Sequence, residues 1–319
     1  MLSRPSFISD DAITQAVAAH WLPEVVEVAY LPWGFGAPHW RVAGGGKILF
    51  VTLDQLDQLE PRHTEATLEA AYAGAAALAA AGVDVVCAPL PARSSGRFTV
   101  GVEAGALSVT PWLDGRSPTE EEASRPRHVR AVEAALATLH RVTPPPGLRH
   151  WTPQVGPEFA GELRARTARP WTSGPLAEEA RAAIAAHDAA ITRWTDRCLE
   201  LADLAHSRRD QWVTTHGEPH NDNQVVGACG LKLVDWESLA LAPRERDYAD
   251  LLAAGAGDRL RPDPAMVELF ALDWRLSEIA EYARWFAAPH TGTDDDHTAL
   301  EGLYEELRQV TAPGRPGPP

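Results

Sequence analysis

The chain has 319 residues, enough to bury a large core as one two-lobed unit or as two domains. Its 44 acidic residues outnumber 29 basic ones and leave a formal net charge of −15, which argues against broad nucleic-acid or anionic-membrane binding; nor is any uninterrupted apolar stretch long enough to span a bilayer. The three cysteines, Cys87, Cys198 and Cys229, are odd in number and widely spaced, so reduced, buried thiols in a cytoplasmic protein are expected rather than disulfides.

In chain order, a helix is expected over 10–19 behind a Ser9 or Asp10 cap. Residues 25–30 open an antiparallel sheet, 31–38 form a turn carrying Gly34, Phe35 and Gly36, and 39–42 pairs with 47–53 around Gly44-Gly45-Gly46. An alanine-rich helix over 64–81 stops at Gly82. Residues 85–90, 97–102 and 107–110 read as further strands, and Asp114-Gly115-Arg116 as a connection. The rest is mainly helical, over 120–141, 158–166, 176–206, 264–288 and 297–310, with Pro144-Pro145-Pro146-Gly147 unable to continue a helix. Residues 291–296 read as an exposed turn and 313–319 as a disordered tail.

Between the helical stretches lies Thr215-His216-Gly217-Glu218-Pro219-His220-Asn221-Asp222-Asn223, with Asp235-Trp236-Glu237 following twelve residues after Asn223. Strands over 211–215, 224–226 and 231–234, with a turn at 227–230, would set Glu218 and Asp235 at adjacent strand ends facing one cleft. Transfer of a phosphoryl group needs metal ligands to neutralise developing charge and a carboxylate to orient or deprotonate the attacking hydroxyl. Glu218 can supply the base, and Asn223 and Asp235 the Mg²⁺ ligands. His216 reads as a structural brace rather than a proton carrier. Zinc chemistry finds no support, because the Pro-Cys-x-x-Cys partner of a deaminase is missing and Pro219 opposes the helix of a His-Glu-x-x-His site. A Gly-x-Ser-x-Gly hydrolase elbow is missing too.

These residues resemble the aminoglycoside phosphotransferase and choline-kinase-like branch of the protein-kinase fold. That branch has a His-Gly-Asp-x-x-x-x-Asn loop and an Asp-Trp-Glu or Asp-Trp-Asp metal motif. It often continues into a run like Leu241-Ala242-Pro243-Arg244-Glu245-Arg246-Asp247-Tyr248-Ala249-Asp250-Leu251. The resemblance implies an α+β, protein-kinase-like two-lobed fold: a small antiparallel-sheet nucleotide-binding lobe over 1–110, a hinge over 111–116 and a larger, mainly helical catalytic and substrate-binding lobe over 117–312. It further implies ATP or GTP as co-substrate, with Pro111, Trp112 and Leu113 at the hinge beside the purine. Gly34, Phe35 and Gly36 would cover the phosphates, and Asp247 would brace the catalytic loop. Trp33, Trp40 and Trp112 are candidates to stack near the purine.

Two departures stand out. The family's aspartate is Glu218, one methylene longer, and Thr52 stands where the family carries the lysine that grips the nucleotide phosphates. Glu65 and Glu69 are candidates for that lysine's usual acidic partner, yet the lysine they would pair with is absent. Lys47 points to the other face of the strand, which leaves Arg41 or the glycine-turn backbone as replacement. A subgroup combining a His-Gly-Glu-Pro-His loop with a Phe-Val-Thr strand is similar. The expected activity is transfer of the γ-phosphate of ATP or GTP to a hydroxyl of a small molecule, most readily a cationic, aminoglycoside-like or other antibiotic, with no nucleic-acid or membrane partner. The alternatives are a nucleotide-binding pseudo-enzyme acting through a protein partner, and a peptide Ser/Thr kinase acting on a precursor peptide.

Overall fold

A computed structural model describes residues 4–33, 37–56 and 64–308. Gly34, Phe35, Gly36 and the tail over 313–319 lie outside the described residues. The chain forms two compact units, Met1–His150 with Val213–Leu241, and Trp151–Trp212 with Ala242–Pro319.

The first unit begins with α1 (Asp10–His20), whose first turn is capped by Ser9, the Oγ accepting from the Ala12 N–H. It packs on a five-stranded antiparallel sheet of β1 (Glu27–Leu31), β2 (His39–Gly44), β3 (Lys47–Asp54), β4 (Thr99–Val102) and β5 (Gly105–Pro111), in the order β1-β2-β3-β5-β4. Strand alternation divides the residues between two faces. Trp40, Val42, Leu49, Val51, Leu53, Leu107 and Val109 are buried with Ile13 and Val17 of α1. His39, Arg41, Phe50 and Thr52 alternate with them and are only partly buried. The β2–β3 turn uses Gly45 and Gly46 at φ 52° and 73°. Gly44 also has to be small, because a Cβ there would lie 1.7 Å from the Glu24 carbonyl oxygen.

Helix α2 (Glu65–Ala80) starts at a Thr64–Thr67 capping box and is followed by Gly82 at φ 83°. The same unit holds β6 (Gly115–Arg116), α3 (Glu120–Ala123), α4 (Pro126–Leu139), β7 (Val213–Thr215), β8 (Gln224–Gly227), β9 (Gly230–Leu233) and β10 (Ala240–Ala242), whose last residue passes into the second unit. Strands β6, β8 and β9 form a three-stranded sheet, and β7 pairs with β10.

The second unit contains α5 (Phe159–Thr167), α6 (Ala177–Ala186), α7 (Asp188–His206), α8 (Ala249–Ala253), α9 (Gly257–Leu260), α10 (Pro264–Ala287) and α11 (Asp294–Arg308). Helix α10 buries Asp273, whose carboxylate accepts from the Trp151 indole N–H at 3.1 Å and the Gln154 backbone N–H at 2.7 Å. Among the described residues no helix is long and apolar enough to cross a membrane.

Several expectations need correction. Residues 85–90 form no strand: Val86 makes a single parallel bridge to Leu233, and Pro89 has no N–H to extend a ladder. The helix expected over 120–141 is two, because Pro126 starts a new one, and that over 176–206 is interrupted at His187. Residues 291–296 are an exposed turn only in part: Thr291, Thr293 and Asp294 are exposed, but α11 already begins at Asp294 and Asp295 is buried. Asp296 is buried and caps α11, accepting from the Gly292 and Thr293 N–H groups and from the Trp285 indole. Trp40 lies in the core with its indole N–H on Asp10, so it is not a purine-stacking residue. The expectation of buried cysteines holds for two of the three: Cys87 and Cys198 are buried, but Cys229 is exposed in the β8–β9 turn.

Burial pushes the Cys87 thiol up to about 11 and the Cys198 thiol up to about 12, so neither ionises near neutrality. Titration of the native protein with a thiol reagent at pH 8 should label Cys229 rapidly and the other two only after denaturation. Rapid native labelling of Cys87 or Cys198 would contradict this packing.

Candidate active site

The loop between β7 and β8 folds back on itself around Gly217, whose φ of 103° is open to glycine and strained for other residues. This turn brings the Glu218 backbone N–H to 3.3 Å from His216 Nδ1. On its other side, His216 Nε2 lies 2.9 Å from the Val234 carbonyl oxygen, one residue before Asp235. His216 is fully buried and its ring lies 4.5 Å from that of Trp236. With Nδ1 accepting and Nε2–H donating, one neutral tautomer satisfies both contacts.

The side chains around this bridge are held in turn. Glu218 Oε1 accepts from the buried Ser238 hydroxyl at 3.0 Å. Asn223 Nδ2 donates to the Glu218 carbonyl at 2.9 Å and lies 3.2 Å from His220 Nε2. Since both contacts use the amide nitrogen, the Asn223 Oδ1 is the end left to face a ligand. Backbone contacts from Asn223 N–H to the His220 carbonyl and from Val234 N–H to the Asn223 carbonyl, both 3.0 Å, knit the loop to β9. Asp235 follows at φ 63°, a rare conformation for a non-glycine residue, and is exposed. The buried Gln224 is fixed by the Pro219 carbonyl at 2.7 Å and by His128 of α4 at 2.6 Å.

Carboxylates gather where β3 ends. Asp54 is 8% exposed, and its Oδ2 has no hydrogen-bond partner among the described residues. Burial, reinforced by the nearby Glu237 carboxylate, pushes Asp54 well above the usual carboxylate range. Burial also raises the Tyr72 phenol, and the charges of Asp54, Glu237 and Asp235 add to the effect. Across the sheet face, His39 Nδ1 meets the Thr52 hydroxyl at 3.2 Å, and the His39 ring lies 4.9 Å from that of Phe50.

The residues expected from the sequence are therefore distributed unevenly. Glu218, Asn223, Asp235 and His216 share one hydrogen-bonded assembly. Thr52 lies on the partly buried sheet face with Arg41, whose guanidinium pairs with Glu27 at 2.8 Å and stacks 5.7 Å from the Trp112 ring. Pro111 pairs with Leu49, the Trp112 N–H donates to the Ile48 carbonyl at 3.1 Å, and Leu113 is partly buried. Trp112 and Trp33 have ring centres 6.0 Å apart. Asp247 is buried in a short 3₁₀ turn, Arg244–Asp247, of the second unit. Glu65 and Glu69 have found other partners: Arg97 binds Glu65 at 2.7 Å, and the Phe98 and Thr99 N–H groups bind Glu69. Sequence reasoning missed Ser238, His39 and Asp54. Asp54 carried a signal, a lone acid closing the apolar run of β3.

The raised Asp54 pKa has a defined sign. A carboxyl whose folded pKa lies above its unfolded value favours the fold at acid pH, and that contribution is lost as pH rises through the folded value. Asp54→Asn should therefore raise the melting temperature more at pH 8 than at pH 4, by on the order of a few degrees. Calorimetry in EDTA without nucleotide reads this, and an increment independent of pH would contradict it.

The model of the phosphotransferase enzyme family APH matches residues 27–286. The chain is 30% identical over 256 residues to Protein StrN of Streptomyces griseus, covering 74% of this chain and 76% of that one. Among solved structures, spectinomycin phosphotransferase APH(9)-Ia, in complex with ADP and spectinomycin, superposes with a TM-score of 0.68 at 14% identity, covering 92% of this chain and 93% of that chain. Choline kinase LicA from Streptococcus pneumoniae gives 0.53 at 15% identity, covering 93% and 98%. A microcompartment-associated aminopropanol kinase gives 0.59 at 14%, covering 94% and 95%. The chain thus has the protein-kinase-like fold and belongs to the APH phosphotransferase enzyme family.

Proposed function

We propose that this enzyme transfers the γ-phosphate of ATP or GTP to a hydroxyl of a small, cationic molecule, an aminoglycoside-like or other antibiotic being the leading class. The observation that carries the reading is the hydrogen-bonded assembly that fixes Glu218, Asn223 and Asp235 relative to one another through His216 and Val234. Spectinomycin phosphotransferase among the similar structures and a net charge of −15 support the acceptor class.

The donor set fits Mg²⁺, with the hard oxygens of the Asn223 amide and the exposed Asp235 carboxylate. Among the described residues no group of three or more His, Cys, Asp or Glu side chains is arranged to hold a metal unaided. Mg²⁺ is commonly bound by one or two protein oxygens together with substrate phosphates. When bound there, the ion neutralises charge developing on the transferred phosphoryl group.

Glu218 accepts the proton of the attacking hydroxyl as the new O–P bond forms and the bond from the γ-phosphorus to the β,γ-bridging oxygen breaks, releasing the nucleoside diphosphate. Ser238 holds the Glu218 carboxylate in place, and His216 braces the loop. On this reading residues 1–110 carry the nucleotide, and 111–116 contact the purine through Pro111, Trp112 and Leu113. Thr52 in place of a lysine favours one rival reading, a pseudo-enzyme that binds nucleotide without turnover.

Nucleoside diphosphate release should be measured with Mg·ATP and Mg·GTP against a panel of aminocyclitols, aminoglycosides and amino alcohols. Glu218→Gln should lower kcat by about 100-fold or more with nucleotide binding retained. Asp235→Asn should lose Mg²⁺-dependent nucleotide binding as well. Wild-type binding without transfer to any acceptor, and with no effect of Glu218→Gln, would favour the pseudo-enzyme.

A further inference from the structure

Thr52 is not an empty substitute for a cation. It is the cross-strand partner of His39, and its hydroxyl lies 3.2 Å from His39 Nδ1. The hydroxyl can donate or accept, and the neutral tautomer assigned is the one in which Thr52 donates and Nδ1 accepts. The ring proton then sits on Nε2, which becomes a donor. Packing against Phe50 restrains the ring on the sheet face turned away from the apolar core. His39 also feels the charge of Glu237, the last residue of the Asp-Trp-Glu motif, so this face and the motif are close neighbours. Burial pushes the imidazole down to about 4, with Glu237 opposing, and the ring is neutral at physiological pH.

Among the described residues, the other candidate from the sequence is committed elsewhere. Arg41 is paired with Glu27 and stacked on Trp112. Glu65 and Glu69, which would need a cation if one stood at position 52, are bound by Arg97 and by the Phe98 and Thr99 N–H groups. The sheet is therefore self-consistent without a lysine there.

We propose that His39, oriented by Thr52, is the phosphate-binding residue of the β-sheet, its Nε2–H donating to an oxygen of the nucleotide phosphates. This rests on the phosphotransferase reading and adds the residue that grips the donor. A neutral donor supplies direction without adding charge, which leaves charge neutralisation to the metal ligands.

The test compares wild type, His39→Ala and His39→Gln, the glutamine keeping an N–H donor at similar reach. Binding of Mg·ATP and Mg·GTP is read by calorimetry, and binding of adenosine and guanosine by displacement titration. His39→Ala should weaken the preferred triphosphate about 10-fold or more and leave its nucleoside unchanged, while His39→Gln recovers most of the loss. Unchanged triphosphate affinity in His39→Ala overturns the assignment while the phosphotransferase reading stands, and so does an equal loss for triphosphate and nucleoside. Wild type that binds neither triphosphate overturns both together.

Discussion

His216 uses both ring nitrogens at once, and the geometry of the site depends on it. Nδ1 accepts from the backbone of Glu218 and Nε2 donates to the carbonyl just before Asp235. The ring is fully buried against Trp236, so neither contact can be exchanged for water. Protonation would place a second donor against the Glu218 N–H and break that contact. The fixed tautomer joins the two loops that flank the β8–β9 hairpin, and the backbone tie between Asn223 and Val234 joins them a second time. Phosphoryl transfer depends mainly on positioning and preorganised charge. A two-point clamp of this kind provides both without asking any side chain for covalent chemistry.

The clamp concentrates unfavourable local features around itself. Asp235 sits at φ 63°, and Asp54 keeps a buried oxygen with no partner among the described residues near the charge of Glu237. Strained backbone and unpaired buried oxygens persist only where the surrounding structure over-determines them. Here that surrounding includes the buried indole of Trp236, anchored on the Leu233 carbonyl and packed against His216.

Much of this was legible in the sequence where the signal is local. The glycines at 44–46 mark a hairpin because two of them adopt positive φ, and the Thr64 cap and Gly82 bracket α2 because both act within one turn. The spacing of Glu218, Asn223 and Asp235 was legible because one short β-hairpin carries all three. What failed depended on distant partners. Residues 85–90 look like a strand by composition, yet a strand needs a ladder, and Leu233 offers a single bridge. The acids at 294–296 look solvated until the Trp285 indole, brought by another helix, claims Asp296. Glu65 and Glu69 looked like the remnant of a lost ion pair, but their partners come from β4 and the residues just before it. The interruption at His187 has no proline to announce it, whereas that at Pro126 could have been read.

The glutamate at position 218 is best understood together with Ser238. A glutamate carries one more rotatable bond than an aspartate, so the carboxylate of a candidate base there samples more positions unless something restrains it. Ser238 lies three residues beyond Asp235, is buried, and donates to Glu218 Oε1 from the far side of the clamp. The restraint comes from the residue that directly follows Asp235-Trp236-Glu237, so the extra methylene is registered against the same backbone that carries Asp235. The Thr52–His39 pair on the sheet follows the same logic. In both places a departure from the family's usual residue is matched by a neutral hydrogen-bond partner that fixes direction. The two substitutions therefore read as one consistent design, in which local charge is left to the carboxylates and what they bind.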